Sequence, residues 1–285
     1  IYRGSMPGRL ILCATPIGNL GDASSRLAAT IASVDLVYVE DTRRSRKLLS
    51  ALGISKPLHS YFAGNEADKA RELGEALRAG RSIALLTDAG TPAIADPGLS
   101  AIRVARAVQA EISVVPGPSA LTAALAVSGF PSERFVFEGF LPRRGTERNE
   151  RLTSIKNEPR TSVIFVGSAH LLADLRDLAA IAPTRELCIA RELTKAFEEI
   201  QWLSCEEAAA AWQQRTIKGE FTLVLAGAES REIDLSAGIE EVLSRIQSDE
   251  KMANAVRVVA ANKGLPRRQL YEAVLARTRD TKSGR

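Results

Sequence analysis

The sequence predicts an α/β fold of two lobes, each a parallel or mixed sheet flanked by helices, followed by a basic helical tail. Three observations carry this expectation. From Leu10 onward, short β-branched runs alternate with stretches whose apolar residues recur at helical spacing, the pattern of strands joined by crossover helices. The turn Pro116-Gly117-Pro118 separates a first set of such units from a second in which strands follow one another more densely. The chain has 285 residues, enough for two domains of the usual ~100–200 residues each.

In the first lobe, strands are expected at Leu10–Ala14, Asp35–Val39, Ser82–Thr87 and Glu111–Val115. Helices are expected over Asp22–Ser33, Arg44–Leu52, Glu66–Ala79 and Leu99–Val108. Glu66–Ala79 is the clearest helix: Ala70, Leu73 and Leu77 fall on one face and Glu, Arg and Lys on the other. In the second lobe the strands are Phe135–Glu138, Ser162–Val166, Glu186–Ala190, Glu198–Gln201 and Phe221–Ala226, with helices after Ser119, Ser168 and Ser204. The run of consecutive strands predicts a mixed sheet there. The Arg-rich stretch Gly139–Arg160, interrupted by Pro142 and Pro159, reads as a mobile loop or lid with a short helix near Glu147–Ile155. Past Gly227 an acidic linker (Glu229, Glu232, Asp234, Glu240, Glu241) leads to two basic helical segments, Met252–Asn262 and Arg267–Arg277. A Lys-Gly-Leu-Pro turn separates them, as in a helix-turn-helix-like pair or a solvated helical cap. The expected divisions are 1–8, 9–117, 118–230 and 231–285, and Ile1–Ser5, ahead of Met6, reads as a tag remnant.

The composition is that of an ordinary soluble chain, 45% hydrophobic and 25% charged, with a net charge of +4. That charge is unevenly placed. Residues 251–285 hold nine basic and two acidic residues, a local +7, and everything before them sums to −3. No apolar run approaches the ~18–20 residues of a membrane span, and a cytoplasmic protein is expected. Cys13, Cys188 and Cys205 lie far apart without CxxC spacing, and His59 and His170 are the only histidines. Neither a disulfide framework nor a metal site is expected, and all five are read as buried or partly buried bystanders.

Chemistry is expected where strands end in loops of small residues. Thr15-Pro16-Ile17-Gly18-Asn19-Leu20-Gly21-Asp22 follows the first strand. The eleven residues Asp88–Gly98, with two Gly, two Pro and two Asp, follow the third, and Val115-Pro116-Gly117-Pro118-Ser119-Ala120 closes the fourth. In open α/β sheets ligands bind outside the carboxyl ends of strands, so three such loops imply one cleft. Neither G-x-G-x-x-G nor a P-loop occurs, which removes the usual dinucleotide and triphosphate readings.

Six blocks, in this order and spacing, resemble one family: T-P-I-G-N-L-G-D, E-D-T-R (Glu40 to Arg43), D-A-G-T-P-A-I-A-D-P-G, V-V-P-G-P-S-A, G-F-L-P-R-R and R-E-L-T-K (Arg191 to Lys195). They resemble the ribosomal RNA small-subunit methyltransferase I group, within the tetrapyrrole-methylase-like, class III S-adenosylmethionine enzymes. The resemblance runs from about Arg9 to Gly227 and continues more weakly across the tail. It implies a bilobal tetrapyrrole-methylase-like fold, a homodimer, and S-adenosylmethionine bound between the lobes. It further implies methylation of the ribose 2′-hydroxyl of a decoding-centre cytidine in 16S ribosomal RNA, with the small subunit or its RNA as partner. Carried over by position, the cofactor residues are Pro16, Asp88, Ala89, Gly90, Ile94, Ser119, Ala120, Val166, Gly167, Leu193 and Thr222. One block departs from the pattern. Where the group has aromatic–Glu–small–Pro–His–Arg, this chain reads Phe165-Val166-Gly167-Ser168-Ala169-His170-Leu171, which puts substrate contacts by that Glu or Arg in doubt.

Methyl transfer from a sulfonium is an in-line displacement, so the protein mainly aligns donor and acceptor and excludes water. A ribose hydroxyl needs a base within reach. Glu40 or Asp41 is read as that group, against the alternative of a helix cap and a solvated ion pair. Lys195 is a second candidate, lowering the hydroxyl's pKa or holding RNA, against the alternative of a surface lysine. Arg43 and Arg44 (with Arg46 and Lys47), Arg143 and Arg144 (with Arg148 and Arg151), and Arg267 and Arg268 of the tail are read as phosphate contacts. Two rival readings stay open: methylation of a tetrapyrrole or other small metabolite on the same fold, and a binding module without catalysis.

Overall fold

Strands alternate their side chains between two faces, and in the first lobe both faces are apolar, which demands helices on each side. The computed structural model describes residues 8–229 and 235–283, with side chains described as far as residue 278. The expected tag remnant, Glu232 and Asp234 of the acidic segment, and the side chains of Arg279, Lys282 and Arg285 lie outside the described residues.

Five parallel strands form the first sheet: β1 (Arg9–Cys13), β2 (Leu36–Val39), β3 (Leu58–Ser60), β4 (Ser82–Leu86) and β5 (Glu111–Val115), in the order β3-β2-β4-β1-β5. Ile11, Cys13, Val37, Val39, Ala84 and Leu86 point to one face. There they pack against Leu27 and Ile31 of α1 (Ser25–Ser33) and Leu49 of α2 (Thr42–Ala51). Leu10, Tyr38, Ile83 and Leu85 point to the other face. They meet Leu73 and Leu77 of α3 (Glu66–Arg78) and Ala101 and Ala105 of α4 (Leu99–Ala107). The expected helix over Asp22–Ser33 splits at its start. A 3-10 turn covers Leu20–Asp22, and α1 begins only after Ser24, whose hydroxyl accepts from the Leu27 amide at 3.1 Å. Strand β3 was not expected: three residues are too few to show a period, and pairing with β2 alone defines it.

The second sheet is mixed, as expected. Its strands are β6 (Phe135–Phe140), β7 (Thr161–Gly167), β8 (Glu186–Arg191), β9 (Glu199–Ser204) and β10 (Glu220–Leu225), in the order β6-β7-β10-β8-β9, and only β6 and β7 run parallel. One face covers α6 (Thr146–Asn157), α7 (Leu171–Ile181) and α8 (Cys205–Trp212) through Ile164, Leu187, Ile189, Leu223 and Leu225. The other meets α5 (Ala120–Ser128) and Ile17 through Val163, Cys188, Ala190 and Val224.

The expected mobile lid is a packed helix. Leu152 and Ile155 of α6 are buried. Arg148, 8% exposed, donates to Asp174 at 2.7 Å, to Asp177 at 2.8 Å and to the Pro142 carbonyl at 2.8 Å, and Arg151 pairs with Glu138 at 2.8 Å. Arg148 is thus engaged inside the fold, whereas the Arg151 side chain, paired with Glu138, stays 40% exposed. The three cysteines are buried and His59 is half-buried beneath Tyr38. His170, expected to be at least partly buried, is exposed just ahead of α7.

Contacts divide the chain after Ala228 into two units. Among the described residues the second holds three helices, α9 (Ser236–Gln247), α10 (Met252–Lys263) and α11 (Arg267–Ser283), around Val242, Val256, Val259, Leu270 and Val274. Glu240 and Glu241 therefore belong to a helix rather than a linker. The spacing of Ile239, Val242, Leu243 and Ile246 supplied an apolar face that the acidic composition concealed. Gly264, in the left-handed region at φ 64°, ends α10 before Pro266.

Candidate functional site

The loops after β1, β4 and β5 converge at the carboxyl end of the first sheet. Thr15 and Gly90 exchange two backbone hydrogen bonds, 2.9 and 3.1 Å, which tie the first loop to the second. A Cβ at Gly18 would collide with the Lys195 side chain, so that glycine lets the first loop lie against the Arg191–Lys195 segment of the second lobe.

Together these loops and the ends of β7, β8 and β10 enclose a cavity of about 290 Å³, at the small end of the ~300–1,000 Å³ range of small-molecule sites. Of the residues expected to hold a cofactor, Ala89, Gly90, Ile94, Ser119, Ala120, Val166, Gly167, Leu193 and Thr222 line it, whereas Pro16 and Asp88 do not. Sequence reasoning missed Ile17, Ala95, Asp96, Phe140, Phe165, Ala190, Glu220 and Phe221, which complete the wall. Ile17, Ala95, Asp96 and Phe140 lay inside the quoted blocks. Phe165 opened the block that departs from the family pattern, and Ala190, Glu220 and Phe221 are strand-end residues without a local signal.

Two features fit this cavity to a ligand. Thr222 lines the cavity and its hydroxyl makes no hydrogen bond among the described residues, and the Ser119 hydroxyl caps no helix. A Cβ at Gly167 would meet nothing within 4 Å, which leaves room at the wall. A small molecule with an apolar body and a few polar groups suits such a site.

Glu40 and Asp41 stand at the end of β2, beside the cavity but outside its wall. The Asp88 amide donates to Glu40 Oε2 at 3.2 Å, and the Asp41 amide donates to Asp88 Oδ1 at 3.0 Å, a reciprocal clamp between the ends of β2 and β4. Arg44 pairs with Asp88 at 3.3 Å. Burial raises the Glu40 carboxyl above its ordinary range, opposed by the Asp88 amide. Asp41 caps α2 by accepting from the Arg43 amide at 2.7 Å and pairs with the Arg43 guanidinium at 3.1 Å. Those bonds lower its carboxyl to about 2, where it is a poor base. Lys195 lines the cavity, but its Nζ is held at 2.7 Å by both Glu192 and Glu220, which offset its charge. Arg43 opens onto a shallow groove with Arg46 and Lys47, and Arg143 and Arg144 are exposed. Arg267 and Arg268 belong to α11 of the second unit, where Arg268 pairs with Glu272 at 2.9 Å.

Residues 9–209 match the family of Tetrapyrrole (Corrin/Porphyrin) Methylases, which makes this a methyltransferase of the tetrapyrrole-methylase class, built here from a parallel sheet and a mixed sheet with a strand-end cavity. The solved structure of uroporphyrin-III C-methyl transferase from Thermus thermophilus complexed with S-adenyl homocysteine aligns with a TM-score of 0.55 at 18% identity, over 77% of this chain and 97% of that one. Among sequences, a protein of Xylella fastidiosa named ribosomal RNA small subunit methyltransferase I is 41% identical over 94% of this chain and 99% of its own. A Thermotoga maritima protein of the same name is 44% identical over 78% of this chain and all of its own. The chain belongs to this S-adenosylmethionine-dependent methylase family and, within it, to the group these relatives represent.

Proposed function

We propose that this chain transfers a methyl group from S-adenosylmethionine to the ribose 2′-hydroxyl of a decoding-centre cytidine in small-subunit (16S) ribosomal RNA. The observation that carries the reading is the likeness to proteins named ribosomal RNA small subunit methyltransferase I, which extends over 94% of the chain. In this reading Ala89, Gly90, Ile94, Ser119, Ala120, Val166, Gly167, Leu193 and Thr222 hold the cofactor, with Pro16 and Asp88 shaping the loops behind them. When bound, S-adenosylmethionine supplies a methyl group activated on a sulfonium. The apolar wall excludes water and fixes the approach of the acceptor oxygen. Glu40 and Asp41 hold the ends of β2 and β4 in register, and Lys195 secures the first loop.

Arg43, Arg44, Arg143, Arg144, Arg267 and Arg268 take RNA phosphates. A homodimer is proposed on the exposed apolar side chains of the edge strand β5, Ile112 and Val114, 37% and 48% exposed. The protein then works in the cytoplasm, where ribosomes are assembled. No helix among the described residues is long and apolar enough to cross a membrane.

Tritiated methyl transfer tests the reading with two acceptors, small ribosomal subunits and naked ribosomal RNA, and a control without RNA. Label in ribose, recovered as an alkali-resistant dinucleotide, is the expected result. Label absent from RNA, or recovered only in a small molecule, overturns it.

A further inference from the structure

We propose that Asp96 is the base that takes the proton from the acceptor hydroxyl, an assignment that rests on the methyl-transfer reading above. Two carboxylates line the cavity, Glu220 and Asp96. Glu220 is spent on Lys195, at 2.7 Å. Asp96 makes no hydrogen bond or ion pair among the described residues. The other nearby carboxylates are also spent: Glu40 on the Asp88 amide, Asp88 on the Asp41 amide and Arg44, and Asp41 on the start of α2.

The loop that carries Asp96 is held in a shape its residues do not favour. Ala93 and Ala95 flank Ile94 with φ of 68° and 61°, a left-handed conformation that alanine rarely adopts. Pro97 accepts from the Ala93 amide at 3.1 Å and closes the turn on itself. Glu66 pins its far end by accepting from the Gly98 amide, the Ser100 amide and the Ser100 hydroxyl at 3.2, 3.2 and 2.6 Å. Strain maintained by surrounding bonds marks a segment held for its site rather than for its own stability. Here it places a carboxylate without a partner in the wall of the cavity.

The electrostatics suit the role. Burial first, then the negative charges of Glu40 and Asp88, push the Asp96 carboxyl up to about 7, so near neutrality it is part ionised and a stronger base than an ordinary aspartate. The charged groups around it are Glu40 and Asp88 from the strand ends, Arg44 paired with Asp88, and Lys195 and Glu220 paired across the cavity. Asp96 takes the hydroxyl proton as the oxygen–methyl bond forms and the methyl–sulfur bond breaks, the electron pair of that bond remaining on the resulting thioether. A sulfonium and a carboxylate thus become a neutral thioether and a neutral acid, with the methyl ether as product.

The test uses the full chain with carbon-13 in its aspartate carboxyls, as wild type, Asp96→Asn and Asp96→Glu. In the wild type without cofactor, one carboxyl is expected to titrate near pH 7, and Asp96→Asn removes that signal. In single turnovers, Asp96→Asn is expected to slow RNA methylation about 100-fold or more. S-adenosylmethionine affinity stays within about 3-fold, well under the tenfold of one 1.4 kcal/mol step. The wild-type rate rises with pH through the same interval, Asp96→Asn loses that rise, and Asp96→Glu keeps it at an intermediate rate. Three results overturn the assignment: methylation by Asp96→Asn at the wild-type rate, rate and cofactor affinity lost in proportion with the pH dependence unchanged, or no carboxyl titrating near neutrality. If the wild type itself labels no RNA, the functional reading fails first and the assignment with it.

Discussion

Arg148→Met separates a packed helix from a lid. Arg148 joins α6 to α7 through Asp174 and Asp177, and the Asp174 side chain is only 5% exposed. Methionine preserves most of the volume but leaves Asp174 as a buried charge without its partner. Removing one member of a buried pair costs about 3–5 kcal/mol. The unit that contains it spans Ile1–Ala228, and for that size each kcal/mol shifts melting by about 2–4 °C, so a fall of roughly 6–20 °C is expected in a thermal melt followed by circular dichroism. The pH dependence has a definite sign. Burial already raises the Asp174 carboxyl above its ordinary value, with Arg148 opposing. Without Arg148 the folded-state value rises further above the unfolded one, so the ionised form destabilises the fold and protonation relieves it. The deficit is therefore larger at pH 8 than at pH 5. Melting within about 2 °C of wild type at pH 8, less than ~1 kcal/mol for a unit of this size, would refute the packed-helix account.

Three further substitutions probe the site. Thr222→Val removes a hydroxyl without a protein partner, so the melting temperature is unchanged, while S-adenosylmethionine affinity measured by calorimetry falls about 5–10-fold, the ~1 kcal/mol of one hydrogen bond; unchanged affinity would mean the hydroxyl faces no ligand. Gly90→Ala forces alanine to φ +82°, a cost of roughly 1–2 kcal/mol. Its Cβ would meet Ile17 only at 3.7 Å, so the cost is conformational, and both the melting temperature and cofactor affinity fall. Arg143→Glu with Arg144→Glu weakens RNA binding and flattens its salt dependence by about 0.7–0.9 of a logarithmic unit per lost phosphate contact, read from binding isotherms at several salt concentrations. Cofactor affinity stays the same.

Much of the fold was legible because strand alternation and helical spacing are local. Leu10–Ala14 and Glu66–Ala79 announced themselves through residues within one or two turns of each other. So did the loops: Gly90 and Gly98 stand where the backbone takes positive φ, and those demands are written in residue type. The elements that escaped are ones that neighbours in space define. Strand β3 exists through its pairing with β2. The helix over Glu147–Ile155 was legible and is α6, but its packing was not, because the residues that anchor Arg148 lie 26 and 29 positions away in α7.

The same division runs through the site. The sequence by itself pointed to small-residue loops at three strand ends meeting at one cleft, and residues of all three loops line one cavity. Only the tertiary structure decided which carboxylate is left without a partner. Glu40 and Asp41 drew attention because they stand at a strand end, but their chemistry depends on Asp88, whose bonds to them span 48 and 47 residues. A carboxyl's proton affinity is set by burial and by the donors and charges that folding brings to it. Those partners engage Glu40, Asp41 and Asp88, and Asp96 in the cavity wall has no hydrogen bond or ion pair among the described residues.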